Sequence, residues 1–180
     1  MQKHPHVKEI LFTKKFIEDK IKNCAQWVNQ TYQNSKDLII VGLLKGSIPF
    51  LAQLIKDVTI DHSIDFMTAS SYAGSSESKG SVKIVMDLAQ DIKYKDVLIV
   101  EDIIDSGITL EKISDILLAR QPKSLRILTL MDKPYHRKTK IQADYFGFQV
   151  PDAFLVGFGL DYKERLRNLP YVGIFDKKYL

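Results

Sequence analysis

Cysteine and tryptophan are nearly missing from this sequence, with one of each in 180 residues. A lone cysteine, Cys24, excludes an intramolecular disulfide and points to a reducing compartment. Its neighbours Asn23, Ala25 and Trp27 suggest a helix face, where packing rather than thiol chemistry is expected. No apolar run reaches the roughly 18 residues that a membrane-spanning helix needs. The opening MQKHPHVKEI lacks the apolar stretch of a signal peptide. A cytoplasmic protein without a membrane partner is therefore expected. The nucleotide-triphosphate loop GxxxxGK[ST] is absent too, and Gly157-x-Gly159 has Tyr162 where a dinucleotide site would need its third glycine. His136 has no second metal ligand near it in sequence.

What is present describes an ordinary globular chain, 45% hydrophobic and 27% charged. Its length suits a single domain, residues 1–180, with a small appendage and no need of covalent staples. The net charge of +4 and a pI near 9.0 fit either nucleic acid or a polyanionic small molecule as partner.

From Thr13 to Gln33 the apolar residues Phe16, Ile17, Ile21, Cys24, Ala25 and Val28 recur at helical spacing, with Thr13 as the cap. Leu38–Leu44 is an unbroken apolar run, the pattern of a strand buried on both faces of a parallel sheet. Ser47 is expected to cap a helix reaching about Lys56, with Pro49 in its first turn. Ser63–Ser70 and Ser81–Asp87 resemble strands, and eight of the twelve residues from Ser70 to Ser81 are Ser or Gly. A loop of that composition has little to bury and reads as a lid or binding loop, about 70–82. Val97–Val100 is the most hydrophobic strand, a helix follows from about Ile108 to Arg120, and Leu125–Met131 is another apolar run. The alternation predicts an α/β fold with a mostly parallel central sheet, its core about 36–132. Residues 1–15 and 133–180 are expected to form a small irregular hood, into which Tyr145–Phe148, Phe154–Phe158 and Val172–Phe175 fall. The run Lys133, His136, Arg137, Lys138, Lys140 reads, after its first member, as a solvated basic face.

The densest signal is VLIVEDIIDSGIT, Val97–Thr109. A buried strand ends, Glu101 and Asp102 follow, and Asp105-Ser106-Gly107-Ile108-Thr109 opens a helix. A helix start offers free N–H groups and the positive end of a dipole, which together hold a phosphate. Gly107 would let the backbone approach it closely, and Ser106 and Thr109 add hydroxyls. Two carboxylates beside a phosphate make sense if they face sugar hydroxyls or a metal ion that inverts the local charge. A phosphorylated sugar satisfies both halves. A plain capped helix with solvated acids explains Asp-Ser-Gly alone, but not thirteen fitting residues.

This stretch resembles the phosphoribosyl-pyrophosphate signature of the type I phosphoribosyltransferases, closely that of members acting on hypoxanthine and guanine, and the resemblance runs from about Ile39 to Ile174. It implies that fold, with a hood of terminal segments, and magnesium as the cofactor. Glu101 and Asp102 would hold the ribose hydroxyls directly or through the metal, and Asp105 would be the acid/base group facing N7 of the purine. The amides of Asp105 to Thr109 would take the 5′-phosphate, Ile108 adding no side-chain contact. The backbone amides of Lys45-Gly46, in a loop whose family counterpart often carries a cis peptide, would hold pyrophosphate with Arg167. Asp161 would serve a metal ion, and Ser71-Tyr72 would lead the lid. Lys133 would read O6 of a 6-oxopurine, with Phe154 stacked on the ring and the Leu155 backbone at its edge. Phosphoribosyl pyrophosphate and a 6-oxopurine follow as substrates, and a homodimer or homotetramer as the assembly. A competing reading is a nucleic-acid-binding regulator that keeps the phosphoribosyl site as a sensor. Against it, no DNA-binding extension is visible, and Lys133 and Phe154 fit catalysis. Lys133 also disfavours an adenine- or pyrimidine-specific transferase.

Overall fold

The computed structural model describes residues 2–71 and 82–179. In chain order these form β1 (Val7–Phe12), α1 (Lys14–Thr31), β2 (Leu38–Leu43), α2 (Ile48–Leu54), β3 (His62–Ser71) and β4 (Val82–Met86). Then come β5 (Asp96–Ile104), α3 (Ile108–Leu118), β6 (Ser124–Asp132), β7 (Tyr145–Gln149), β8 (Leu155–Val156) and β9 (Val172–Phe175).

The main sheet has six strands in the order β4-β3-β2-β5-β6-β7. It is parallel except where β4 runs antiparallel to β3. Successive side chains of a strand leave opposite faces, so an unbroken apolar strand feeds two cores. In β2, Leu38 and Ile40 pack with Ile17, Ile21 and Val28 of α1, while Ile39 and Val41 pack with Ile113 and Leu117 of α3. β5 does the same, Leu98 and Val100 to one side, Val97 and Ile99 to the other. A second, three-stranded antiparallel sheet, β1-β9-β8, joins the two ends of the chain above this core.

Several expectations shift. Thr13 caps α1 as predicted, its hydroxyl accepting from Phe16 N at 3.3 Å. Ser47 does not cap α2 with its side chain, because its hydroxyl donates back to Leu43 O at 2.6 Å. Tyr145–Phe148, expected in the hood, lies instead in β7, the edge strand of the main sheet, parallel to β6. β5 continues four residues past Val100, in register with Thr129, Met131 and Asp132 of β6. The lid expected at about 70–82 falls almost wholly outside the described residues: Ser71 closes β3, and Tyr72 lies beyond it.

Cys24 is fully buried on α1, and burial pushes its thiol up to about 12. The native protein should show no thiol to Ellman's reagent at pH 8 and one after unfolding in guanidinium chloride. A thiol that titrates at once in the native state would contradict this packing.

Candidate active site

Parallel sheets bind ligands beyond the carboxyl ends of their strands, and three such ends converge here. The turn after β2 carries Leu44-Lys45-Gly46, with the Leu44–Lys45 peptide cis. Gly46 lies against Asp102 at the end of β5: a Cβ on it would stand 1.7 Å from Asp102 Oδ2. On its other side, a Cβ on Gly159 would stand 2.0 Å from Gly46 O. Only backbone fits at this junction.

Glu101 and Asp102 are strand residues near the end of β5, Asp102 buried and Glu101 half-buried. Glu101 Oε2 is buried without a hydrogen-bond partner among the described residues. Asp102 Oδ1 accepts from its neighbour Ile103 N at 2.8 Å. Burial raises the Glu101 carboxyl well above its ordinary range, and the adjacent Asp102 charge adds to the effect. Burial likewise pushes Asp102 up to about 6, against the lowering pull of the Ile103 N–H and of Arg167.

The loop leading into α3 has its carbonyls taken on one side. Ile104 O accepts from Lys133 N at 3.0 Å and from Arg137 Nη2 at 3.3 Å. Asp105 O accepts from Arg137 Nε at 2.9 Å, and Ser106 O from Lys138 N at 2.8 Å. In a trans peptide the C=O of one residue and the N–H of the next point in opposite directions. The N–H groups of Asp105, Ser106 and Gly107 therefore face away from the 133–138 segment, toward the start of α3. That array, at a helix N-terminus, has the form of an anion-binding concavity. Gly107 has φ +80°, and a Cβ there would lie 2.4 Å from Thr139 Oγ1 and 2.8 Å from Ile141 Cγ2. Its missing side chain makes room for the 137–141 segment.

Lys133 Nζ lies 3.4 Å from both Asp105 Oδ2 and Asp152 Oδ1, with its side chain only 12% exposed. His136 Nε2 sits 2.9 Å from the same Asp152 oxygen. A cavity of about 600 Å³ opens beside them, lined in part by Lys133, Phe154, Ile174 and Asp176. Phe154 meets Phe175 and Tyr162 edge-on, ring centroids 5.6 and 6.1 Å away, while 45% of the residue stays exposed. Leu155 is buried in β8.

Arg167 donates to Gly159 O at 2.8 Å and pairs with Asp161 at 2.9 Å and with Glu164 at 3.1 Å. The other Glu164 oxygen accepts from Lys45 Nζ at 2.7 Å. Glu164 thus ties the Lys45 ammonium to Arg167, the guanidinium expected to grip pyrophosphate. It was not singled out in the sequence, where it is one acid among surface charges. Asp161 Oδ2 accepts from Glu164 N at 2.9 Å. Asp161 does not join Glu101 and Asp102 in a metal cluster: no group of three or more potential ligands occurs among the described residues.

The profile of the phosphoribosyl transferase domain matches residues 6–163. The chain belongs to the phosphoribosyl transferase family. Within the family it is 47% identical to the hypoxanthine phosphoribosyltransferase of Escherichia coli K12 over 169 residues, 93% of this chain and 95% of that one. It is also 47% identical to the hypoxanthine-guanine phosphoribosyltransferase of Bacillus subtilis over 174 residues, 97% and 96% of the two chains. A crystal structure of a Staphylococcus aureus hypoxanthine phosphoribosyltransferase superposes with a TM-score of 0.93 at 46% identity, covering 98% of this chain and 95% of that one. The parallel sheet with its small cap is the type I phosphoribosyltransferase fold.

In this phosphoribosyl transferase the residue that sequence reading missed most plainly is Arg137. Its side chain is 16% exposed and paired with Asp132, not solvated. The only sequence signal was its place, five residues after Asp132 and thirty after Gly107, which periodicity cannot connect.

The raised Asp102 carboxyl has a consequence for stability. Its folded pKa of about 6 exceeds the ordinary value of 3.8, so its contribution is fully present below pH 4 and lost as pH rises through 6. Asp102→Asn should accordingly raise the melting midpoint at pH 8 by roughly 4–8 °C, equivalent to about 2 kcal/mol, and leave it unchanged at pH 4. Thermal melts at the two pH values check this; a variant less stable at pH 8 would show the carboxylate already compensated.

Proposed function

We propose that this chain transfers the 5-phosphoribosyl group from phosphoribosyl pyrophosphate to N9 of hypoxanthine or guanine, giving IMP or GMP and pyrophosphate, a purine salvage reaction. The observation that carries the reading is the side-by-side placement of Lys133 and Asp105, 3.4 Å apart, between the phosphate-shaped loop and the cavity bordered by Phe154. The amides of Asp105 to Thr109, with the Ser106 and Thr109 hydroxyls, hold the 5′-phosphate. Glu101 and Asp102 accept hydrogen bonds from the ribose hydroxyls. The purine lies on the exposed face of Phe154 with the Leu155 backbone at its edge. Lys133 donates to O6, and an adenine amino group there would face a cation. Asp105 accepts the N7 proton as N9 attacks the anomeric carbon. Arg167, Lys45 and the Gly46 backbone take the departing pyrophosphate once it replaces Glu164 between the two cations.

Magnesium is part of the same proposal. Two adjacent carboxyl groups, Asp102 buried and Glu101 half-buried with one buried oxygen unpartnered among the described residues, are a donor set for a hard divalent cation. Magnesium commonly binds through one or two carboxylates plus substrate oxygens and water, so a protein cluster of three ligands is not required. Glu101 and Asp102 would hold it beside the ribose, and Asp161 would serve a second ion toward the pyrophosphate. Bound there, the metal neutralises charge developing on the leaving group. The Ser71-Tyr72 lid would exclude water from the cationic transition state. A cytoplasmic homodimer or homotetramer completes the reading, the location resting on the lone cysteine.

Incubation with phosphoribosyl pyrophosphate, magnesium and each of hypoxanthine, guanine, xanthine and adenine tests this. Nucleotide should form from hypoxanthine or guanine and not from adenine. Tight phosphoribosyl-pyrophosphate binding with no product from any base would overturn the reading in favour of a regulator. Lys133→Ala should lower kcat/KM for hypoxanthine about 10- to 100-fold, the value of one charge-assisted hydrogen bond.

A further inference from the structure

A loop binds phosphate through its amides only if its peptide planes stay turned the right way. A single plane rotated by half a turn replaces a donor with a carbonyl oxygen, which repels the anion. Ile104 ends the ladder of β5, but nothing in the sequence Asp105-Ser106-Gly107 prevents such a flip by itself, because these residues lie past that strand and before the first turn of α3.

We infer that Arg137 is a positioning residue for the phosphate loop: its guanidinium holds the carbonyls of Ile104 and Asp105 outward, which turns the following N–H groups inward and aims Asp105. The inference deepens the proposed function and rests on it. Four contacts carry it. Arg137 Nε donates to Asp105 O at 2.9 Å and Nη2 to Ile104 O at 3.3 Å. Nη1 donates to Ile141 O at 2.8 Å, and Nη2 also pairs with the Asp132 carboxylate. Asp132 supplies the countercharge that lets a guanidinium sit in a place only 16% exposed.

The two carbonyls belong to the peptide planes on either side of the Asp105 Cα. Fixing both planes fixes φ and ψ of Asp105, and so the direction of its side chain toward the base cavity. With Lys133 N also on Ile104 O and Lys138 N on Ser106 O, the Arg137 side chain alone holds Asp105 O, and so links the phosphate seat to the acid/base group. The planar fork is essential to this, since it spans three carbonyls and a carboxylate at fixed angles; an ammonium is a point charge that cannot.

Arg137→Lys keeps the charge opposite Asp132 and removes the fork. KM for phosphoribosyl pyrophosphate and Kd for ribose 5-phosphate should each rise about 10-fold or more, and kcat should fall, while KM for hypoxanthine stays within about twofold. Arg137→Ala should exaggerate the same pattern, and Lys140→Ala, a nearby loss of charge on an exposed side chain, should change none of these constants. An Arg137→Lys enzyme that melts lower but keeps both KM values and kcat would overturn the inference, as would an equal loss toward both substrates. If the wild-type protein turns over no base, the proposed function fails, and the ribose 5-phosphate titration still decides whether Arg137 shapes the loop.

Discussion

Strand β5 is paired on both sides, with β2 and with β6, and apolar side chains cover both its faces. That desolvation is the constraint on which the site depends. Where the strand ends, charged and hydrogen-bonding groups enter a region already emptied of water. Their electrostatic influence is stronger there than on an open surface, and so is the penalty for leaving them unpaired. Glu101 and Asp102 bear that penalty as raised pKa values, and Glu101 Oε2 as a missing partner. The carbonyls of Ile104, Asp105 and Ser106 are spared it, each being bonded to the 133–138 segment, and the amides opposite face away from that segment.

Around this end the molecule spends its glycines and arginines on backbone. Gly46 and Gly159 let the turn after β2 touch Asp102 and the 159–167 segment with no side chain between. Arg137 and Arg167 both direct guanidinium groups at main-chain oxygens, of Ile104 and Asp105 in one case and of Gly159 in the other. Lys45 and Arg167 share Glu164, an internal anion where an external one is proposed to bind. A site so arranged is held in shape by its frame before substrate arrives, which is the condition for electrostatic stabilisation without reorganisation.

Much of this was readable beforehand. The parallel core was legible because β2 and β5 are apolar at every position that two helical layers cover, and Asp105–Thr109 because a strand end, acids and a helix start fall in thirteen consecutive residues. The expectation that β5 ends at Val100 follows from the usual rule against carboxylates in a sheet interior, yet the strand runs on through Glu101 and Asp102 to Ile104. Tyr145–Phe148 was assigned to the hood because so short a run beside a Gly- and Pro-containing tail carries too little pattern to show a sheet edge. Arg137 was read as a solvated cation because sequence cannot reveal that the oxygens it reaches lie some thirty residues earlier.

The peptide planes of residues 104–107 are proposed to form the phosphate seat. Titration of ¹⁵N-labelled protein with ribose 5-phosphate, without base, followed by amide chemical shifts, tests it most directly. The account predicts that the largest shifts fall on Ser106, Gly107, Ile108 and Thr109. Shifts concentrated instead on the exposed basic residues Lys138 and Lys140, with residues 105–109 unmoved, would contradict it.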